Sequence, residues 1–247
     1  MGWLVLGALL LAAMATFAIV RERSRTARQR ALLQLCSDAG LACSVVDPFP
    51  DTAMLPFRLF GWGSMHWIEN VVWDGGGDRA IRVFDLSLQP PGTEARRSMT
   101  CGVVLLPFAV PPIAILARGE DDPSEEPVTG GPVRLELDAF EQRFEVRAAD
   151  PRAAVAFLDQ RMMSALLRLP RTVAVHVHED RMLLVAQLLE PGDVLVLLAC
   201  AKGLSAHVPP VVASLYPPRP SEGPFEHRWL QGSWSPDPTS ADTPEPS

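Results

Sequence analysis

Residues 64–88 read SMHWIENVVWDGGGDRAIRVFDLSL, a pattern that points to a sheet protein. Two runs rich in Val, Ile, Trp and Phe flank Asp74-Gly75-Gly76-Gly77-Asp78. β-branched and aromatic runs separated by a glycine turn predict a hairpin. In the second run Arg82, Phe84, Leu86 and Leu88 share one face. Ile81, Val83, Asp85 and Ser87 share the other, because side chains alternate along a strand. Both sets are partly apolar, so the sheet is expected to be covered on both sides.

Further strands are predicted around this hairpin. Residues 41–46 read as a short strand before it. Residues 97–106 and 113–117 read as two strands joined by a corner at Pro107, Pro111 and Pro112. Each proline removes a backbone donor. The same corner argues against a second membrane pass over the uncharged residues 102–117, which are also short for one. Residues 143–147 form another expected strand. Residues 172–178 and 181–188 read as a second hairpin about Glu179-Asp180.

Helices fill the remainder. Asp150-Pro151 starts one, with Asp as N-cap and Pro in the first turn. Ala154, Phe157, Leu158, Met162, Met163, Leu166 and Leu167 continue its buried face up to Pro170. A final helix is expected over residues 193–206. The whole predicts an α+β fold. A bent antiparallel sheet of about seven strands packs with helices, in an order that resembles pleckstrin-homology-like barrels.

Ahead of this domain, residues 3–20 (WLVLGALLLAAMATFAIV) carry no charged side chain. As a helix they would extend roughly 27 Å, close to the hydrocarbon thickness of a bilayer. Arg21, Arg23, Arg25, Arg28 and Arg30 follow at once, and no Lys or Arg precedes the run. This asymmetry predicts a single N-terminal transmembrane helix. Its N-terminus would lie outside and the C-terminal domain in the cytoplasm, with the arginines as a membrane-proximal basic cluster. A cleaved signal peptide, suggested by Ala13-Met14-Ala15, would need its basic residues before the apolar run. The expected organisation is residues 1–40 as anchor and basic extension, 41–215 as cytoplasmic domain, and 216–247 as a disordered proline-rich tail.

Charge narrows the function classes. Residues 1–30 have a balance of +4, while the other 217 residues hold 17 basic and 28 acidic groups, a balance of −11. Nucleic acid is therefore not an expected partner, because phosphate affinity needs clustered Lys and Arg. No nucleotide-binding, metalloprotease or serine-hydrolase motif occurs, and nothing implies a cofactor. The acidic loop over residues 118–132 lacks calcium-loop spacing and reads as solvated. Four scattered cysteines, without a CxxC pair, read as free thiols in a reducing compartment.

A few residues stand out as site candidates. His176 and His178 alternate with valine, so both imidazoles point to one face. Glu179 or Asp180 could join them in a metal site, although zinc needs three or four converging ligands. The competing reading puts both histidines on the solvent face of a hairpin. Trp62, between two glycines, is the candidate contact residue, whereas Trp67 and Trp73 read as hairpin packing.

Two motif pairs carry a resemblance. Asn70-Val71-Val72-Trp73 with a glycine-rich turn and Val83-Phe84-Asp85 is the first. Phe140-Glu141-Gln142-Arg143-Phe144-Glu145-Val146 with Leu158-Asp159-Gln160-Arg161-Met162-Met163 is the second. Over roughly residues 57–190 the chain resembles an uncharacterised family of bacterial membrane-anchored proteins, with Leu86 standing where an aromatic is expected. The resemblance implies a domain of unknown function and no site. The leading expectation is a membrane-tethered cytoplasmic module that binds a protein partner. The alternatives are a lipid or small-ligand binder at the inner leaflet and, third, a metal-dependent hydrolase using His176 and His178.

Overall fold

The computed structural model describes residues 2–61, 63–74, 81–127 and 130–216. Helix α1 runs unbroken over Gly2–Ala39 and stops at Gly40, whose φ of 66° suits a glycine C-terminal stop. Strands β1 (Ala42–Val46), β2 (Ser64–Trp73), β3 (Ile81–Gln89) and β4 (Arg97–Ala117) follow. A single 3-10 turn (Thr52–Met54) and the short helix α2 (Arg58–Gly61) lie between β1 and β2. Then come β5 (Gly131–Val133), α3 (Asp138–Arg143), β6 (Phe144–Ala148), α4 (Pro151–Phe157), α5 (Gln160–Leu166), β7 (Ala174–Gln187), α6 (Pro191–Ala206) and α7 (Pro210–Leu215).

All seven strands belong to one antiparallel sheet in the order β1-β2-β3-β4-β6-β5, with β7 also pairing β4. The class is α+β as expected, but the sheet is open and does not close into a barrel. β4 is its spine. Met99–Leu105 and Ile113–Ile115 of β4 both pair with β7. A strand has only two edges, so β3 and β6 must share the other one in succession. β3 takes residues 97–104, and β6 takes 113–117.

Two sequence expectations are corrected here. The proline corner does not split β4 in two. Its prolines fall in the stretch where the β4–β7 register shifts, and a bulge tolerates a missing N–H. The second hairpin is likewise one bent strand, with Glu179 at φ 54° opposite Val110 at the bend. Residues 102–117 are therefore the middle of the sheet, not a membrane segment.

The register confirms the alternation read from β3. Phe84, Cys101 and Val185 align on one face. Val83, Gly102 and Leu184 align on the other. The first face is covered by Leu55, Phe57, Leu59 and Phe60 around α2. The second is covered by α1, α4, α5 and α6, through Leu32, Cys36, Phe157, Met162 and Leu197. Asp150 caps α4 as anticipated, accepting from Arg152 N at 2.9 Å. The helix was expected to run on to Pro170, but it breaks at Leu158. Asp159 caps a new one, accepting from Met162 N at 2.8 Å.

Among the described residues no helix is long and apolar enough to cross a membrane. The apolar run of residues 3–20 lies on α1, and most of its side chains fall outside the described residues. So do Trp62, the glycine turn at 75–77 and the tail from residue 217 onward.

Candidate functional site

The histidine pair lies where alternation put it, on one face of β7, but that face is covered. Residues 118–127 cross it as a strap. Asp122 and Ser124 of the strap meet His176, which is only 5% exposed. His176 Nε2 is 3.1 Å from Asp122 Oδ2 and 3.1 Å from Ser124 Oγ. Ser124 Oγ also donates to Asp122 Oδ1 at 2.7 Å. Glu126 fastens the strap to α2, accepting from Leu59 N at 2.6 Å, and Glu125 pairs with Arg97. His178 meets the edge of Phe57, with ring centroids 6.3 Å apart. The acidic loop is thus partly a structural clamp, not only a solvated segment.

Ser, His and Asp side by side invite a hydrolase reading, and the geometry opposes it. A catalytic triad places its acid and its nucleophile on opposite ring nitrogens. Here both contact Nε2, and the serine is buried. Among the described residues no group of three or more His, Cys, Asp or Glu could hold a metal ion, so Glu179 and Asp180 do not complete a set with His176 and His178.

The clamp has a pH signature. Burial raises the Asp122 carboxyl, but the hydrogen bonds and charge of His176 and the two bonds from Ser124 outweigh it, so the group sits below its ordinary 3.8. A depressed carboxyl contributes stability above the unfolded-state value and loses it as pH falls through the folded-state value. Asp122→Asn should therefore melt below the wild type at neutral pH, and the two curves should converge as pH falls through the folded-state value, which lies below 3.8. Parallel curves across that window, in thermal melts by circular dichroism, would remove the clamp's role.

A second polar cluster holds α1 on the sheet. Asp85, 3% exposed, accepts from Arg28 Nε at 2.8 Å and Arg28 Nη2 at 2.9 Å. Asn70 Nδ2 at 2.8 Å and Thr100 Oγ1 at 3.0 Å complete the set. Arg28 also donates to the Leu189 carbonyl, and Leu189 N donates to Thr100 Oγ1 at 3.1 Å. Four segments meet at one carboxylate, and the segment after β7 joins them through Leu189. Arg25 adds an ion pair with Glu69. Two of the five arginines in the basic cluster are therefore spent on the domain itself, while Arg23 and Arg30 are exposed. The sequence held a clue to Asp85. A charged residue on a strand with two apolar faces needs an opposite charge or several donors.

Two smaller features complete the picture. Trp73 packs edge-on against Phe49, with centroids 5.3 Å apart, as expected of hairpin packing. Trp67 instead stays 37% exposed, with the Arg96 guanidinium 3.7 Å above its ring. All four cysteines are free. Cys36 is pushed up to about 12 by burial and by contact with the Cys43 thiol, which makes it a poor nucleophile. A cavity lined by Leu116, Asp122 and Ala174 holds about 40 Å³, and one lined by Leu32, Ser44 and Asn70 about 10 Å³. Ligand pockets usually span ~300–1,000 Å³.

No protein-family model matches the chain, and no curated protein sequence matches it. Among solved structures the chain is similar to the mycobacterial trehalose monomycolate transport factor A, TtfA. The match has a TM-score of 0.54 at 11% sequence identity and covers 81% of this chain and 99% of that one. At that identity the likeness establishes the fold alone.

Proposed function

We propose that this chain is a membrane-tethered accessory factor for lipid transport, which works by binding a protein partner at the cytoplasmic face of the membrane. The observation that carries this reading is the join between α1 and the sheet. The apolar run and the domain share one continuous helix, and Arg28 bonds that helix to a buried carboxylate. A flexible linker would let the domain wander, whereas this join holds it at a set height and angle to its anchor. The arginines that follow the run favour a cytoplasmic domain. The shared fold with a trehalose monomycolate transport factor supports the lipid-transport setting.

A second reading, direct binding of a lipid, draws on the same likeness, because that factor's name specifies trehalose monomycolate transport. It ranks lower because the cavities at Asp122 and at Asn70, of about 40 and 10 Å³, are far smaller than an acyl chain. Catalysis ranks lowest, given the arrangement around His176.

Capture of the full chain from crosslinked membranes tests the leading reading. The control is the same anchor without residues 41–216. A membrane transport protein enriched over that control is expected, and enrichment of nothing sinks the proposal. Topology is read separately from Arg134→Cys, a position with an exposed side chain. An impermeant maleimide should label it only after the membrane is opened.

A further inference from the structure

The path of α1 over the sheet identifies the end of the domain that faces the bilayer, on the reading that residues 3–20 span it. Followed toward its N-terminus, α1 first brings Cys36 against Cys43, the register partner of Val72. Gln29 and Leu32 then lie near Asn70 and Ser44. Arg28 meets Asp85, and Arg25 meets Glu69. The helix thus climbs β2 from its last residues toward its first. The next side chain on that face, two positions beyond Glu69, is Trp67.

Levels follow from element geometry. A strand advances ~3.3 Å per residue, so Trp67 lies about 7 Å beyond Glu69. A helix advances ~1.5 Å per residue, so Val20 lies about 7–8 Å beyond Arg25 in the same general direction. Trp67 is therefore about level with the end of the apolar run. Leu188 belongs to the same end of the sheet. Trp67 pairs Ser87, Ser87 pairs Ser98, and Leu188 follows Gln187, the partner of Met99. Leu188 is 46% exposed. The β3–β4 turn that carries Arg96 also lies here, and all of residues 91–98 are exposed. Glu69, Glu94 and Glu190 each lie two positions from one of these three residues; Glu69 is paired with Arg25, and Glu125 with Arg97.

We propose that this end, with Trp67, Arg96 and Leu188, rests on the anionic phospholipid headgroup layer of the inner leaflet. An indole is amphipathic and suits the headgroup level. The stacked guanidinium adds a charge that an anionic surface attracts. A domain with a balance of −11 is repelled by such a surface over most of its area. Contact must then be confined to a patch that is apolar or basic. Because α1 keeps the patch at the surface, a weak contact is enough to be occupied.

The test is hydrogen–deuterium exchange on the full chain in nanodiscs of phosphatidylglycerol and, in parallel, of phosphatidylcholine. Residues 64–68 and 89–97 should exchange about fivefold more slowly in phosphatidylglycerol, while residues 207–216 do not change. Trp67→Ala with Arg96→Ala should abolish the difference, and an unchanged melting temperature in detergent verifies that this variant folds. Equal exchange in both lipids overturns the inference and leaves the anchor standing. Loss of the chain from alkali-washed discs overturns both. Protection seen only in native membrane vesicles also overturns the lipid contact and assigns this end to a protein partner.

Discussion

Replacement of Asp85 by alanine is expected to lower folding stability by about 3–5 kcal/mol, the usual cost of breaking a buried ion pair from one side. The loss is not one contact. Asp85 takes two bonds from Arg28 and one each from Asn70 and Thr100. Its removal leaves a largely buried guanidinium, 15% exposed in its side chain, with the Leu189 carbonyl as its remaining acceptor. Urea unfolding of the domain measures the cost. The double variant Arg28→Ala with Asp85→Ala should be less unstable than the sum of the single ones, because neither charge is then stranded. Cys36, fully buried on the sheet-facing side of α1, supplies a local readout. Its modification should quicken in Asp85→Ala if the network holds the helix down. A loss under about 1 kcal/mol, with Cys36 still protected, would show that apolar packing alone docks α1.

Phe157→Ala should be comparably severe, at about 3–5 kcal/mol. Phe157 ends α4 fully buried in the cluster that includes Phe140, Phe144 and Met162. The chain breaks helix at the next residue and turns into α5, so this side chain sits at the corner that joins two helices to the sheet. Little can collapse into the space it leaves, and residual cavity volume sets the cost. Val155, two residues away and 56% exposed, is the control, and its change to alanine should move stability by less than about 0.5 kcal/mol. Similar melting points for the two variants would mean that the corner is loosely packed.

Much of this architecture was legible in short stretches. The two faces of β3 followed from alternation, and burial of both matched the mixed composition. Asp150-Pro151 announced a helix start because capping chemistry is local. The limits of α6 came within two residues of the reading at its start and matched at its end. The errors share a cause. Prolines 107, 111 and 112 look like breakers to any local rule, and Glu179-Asp180 looks like a turn. Whether such a segment ends a strand or bends it depends on its partner. β4 and β7 bend together and pair on both sides of the bend, so each stays one strand.

The candidate residues divide in the same way. Alternation set His176 and His178 on one face, but it had no means of knowing that residues 118–127 return to cover that face, 52 positions away from His176 in the case of Ser124. Arg28 read as part of a charge run, and its partner Asp85 is 57 positions on. Sequence alone determined the apolar run, the arginines behind it, the acidic balance of the domain and the period of each element, since all are properties of neighbours along the chain. Tertiary structure alone decided which charges are spent inside the molecule, which strands are bent, and which end of the sheet keeps Trp67 and Arg96 at the level where the apolar run ends. Those are properties of neighbours in space, and a buried charge or a paired edge is defined only once its distant partner has arrived.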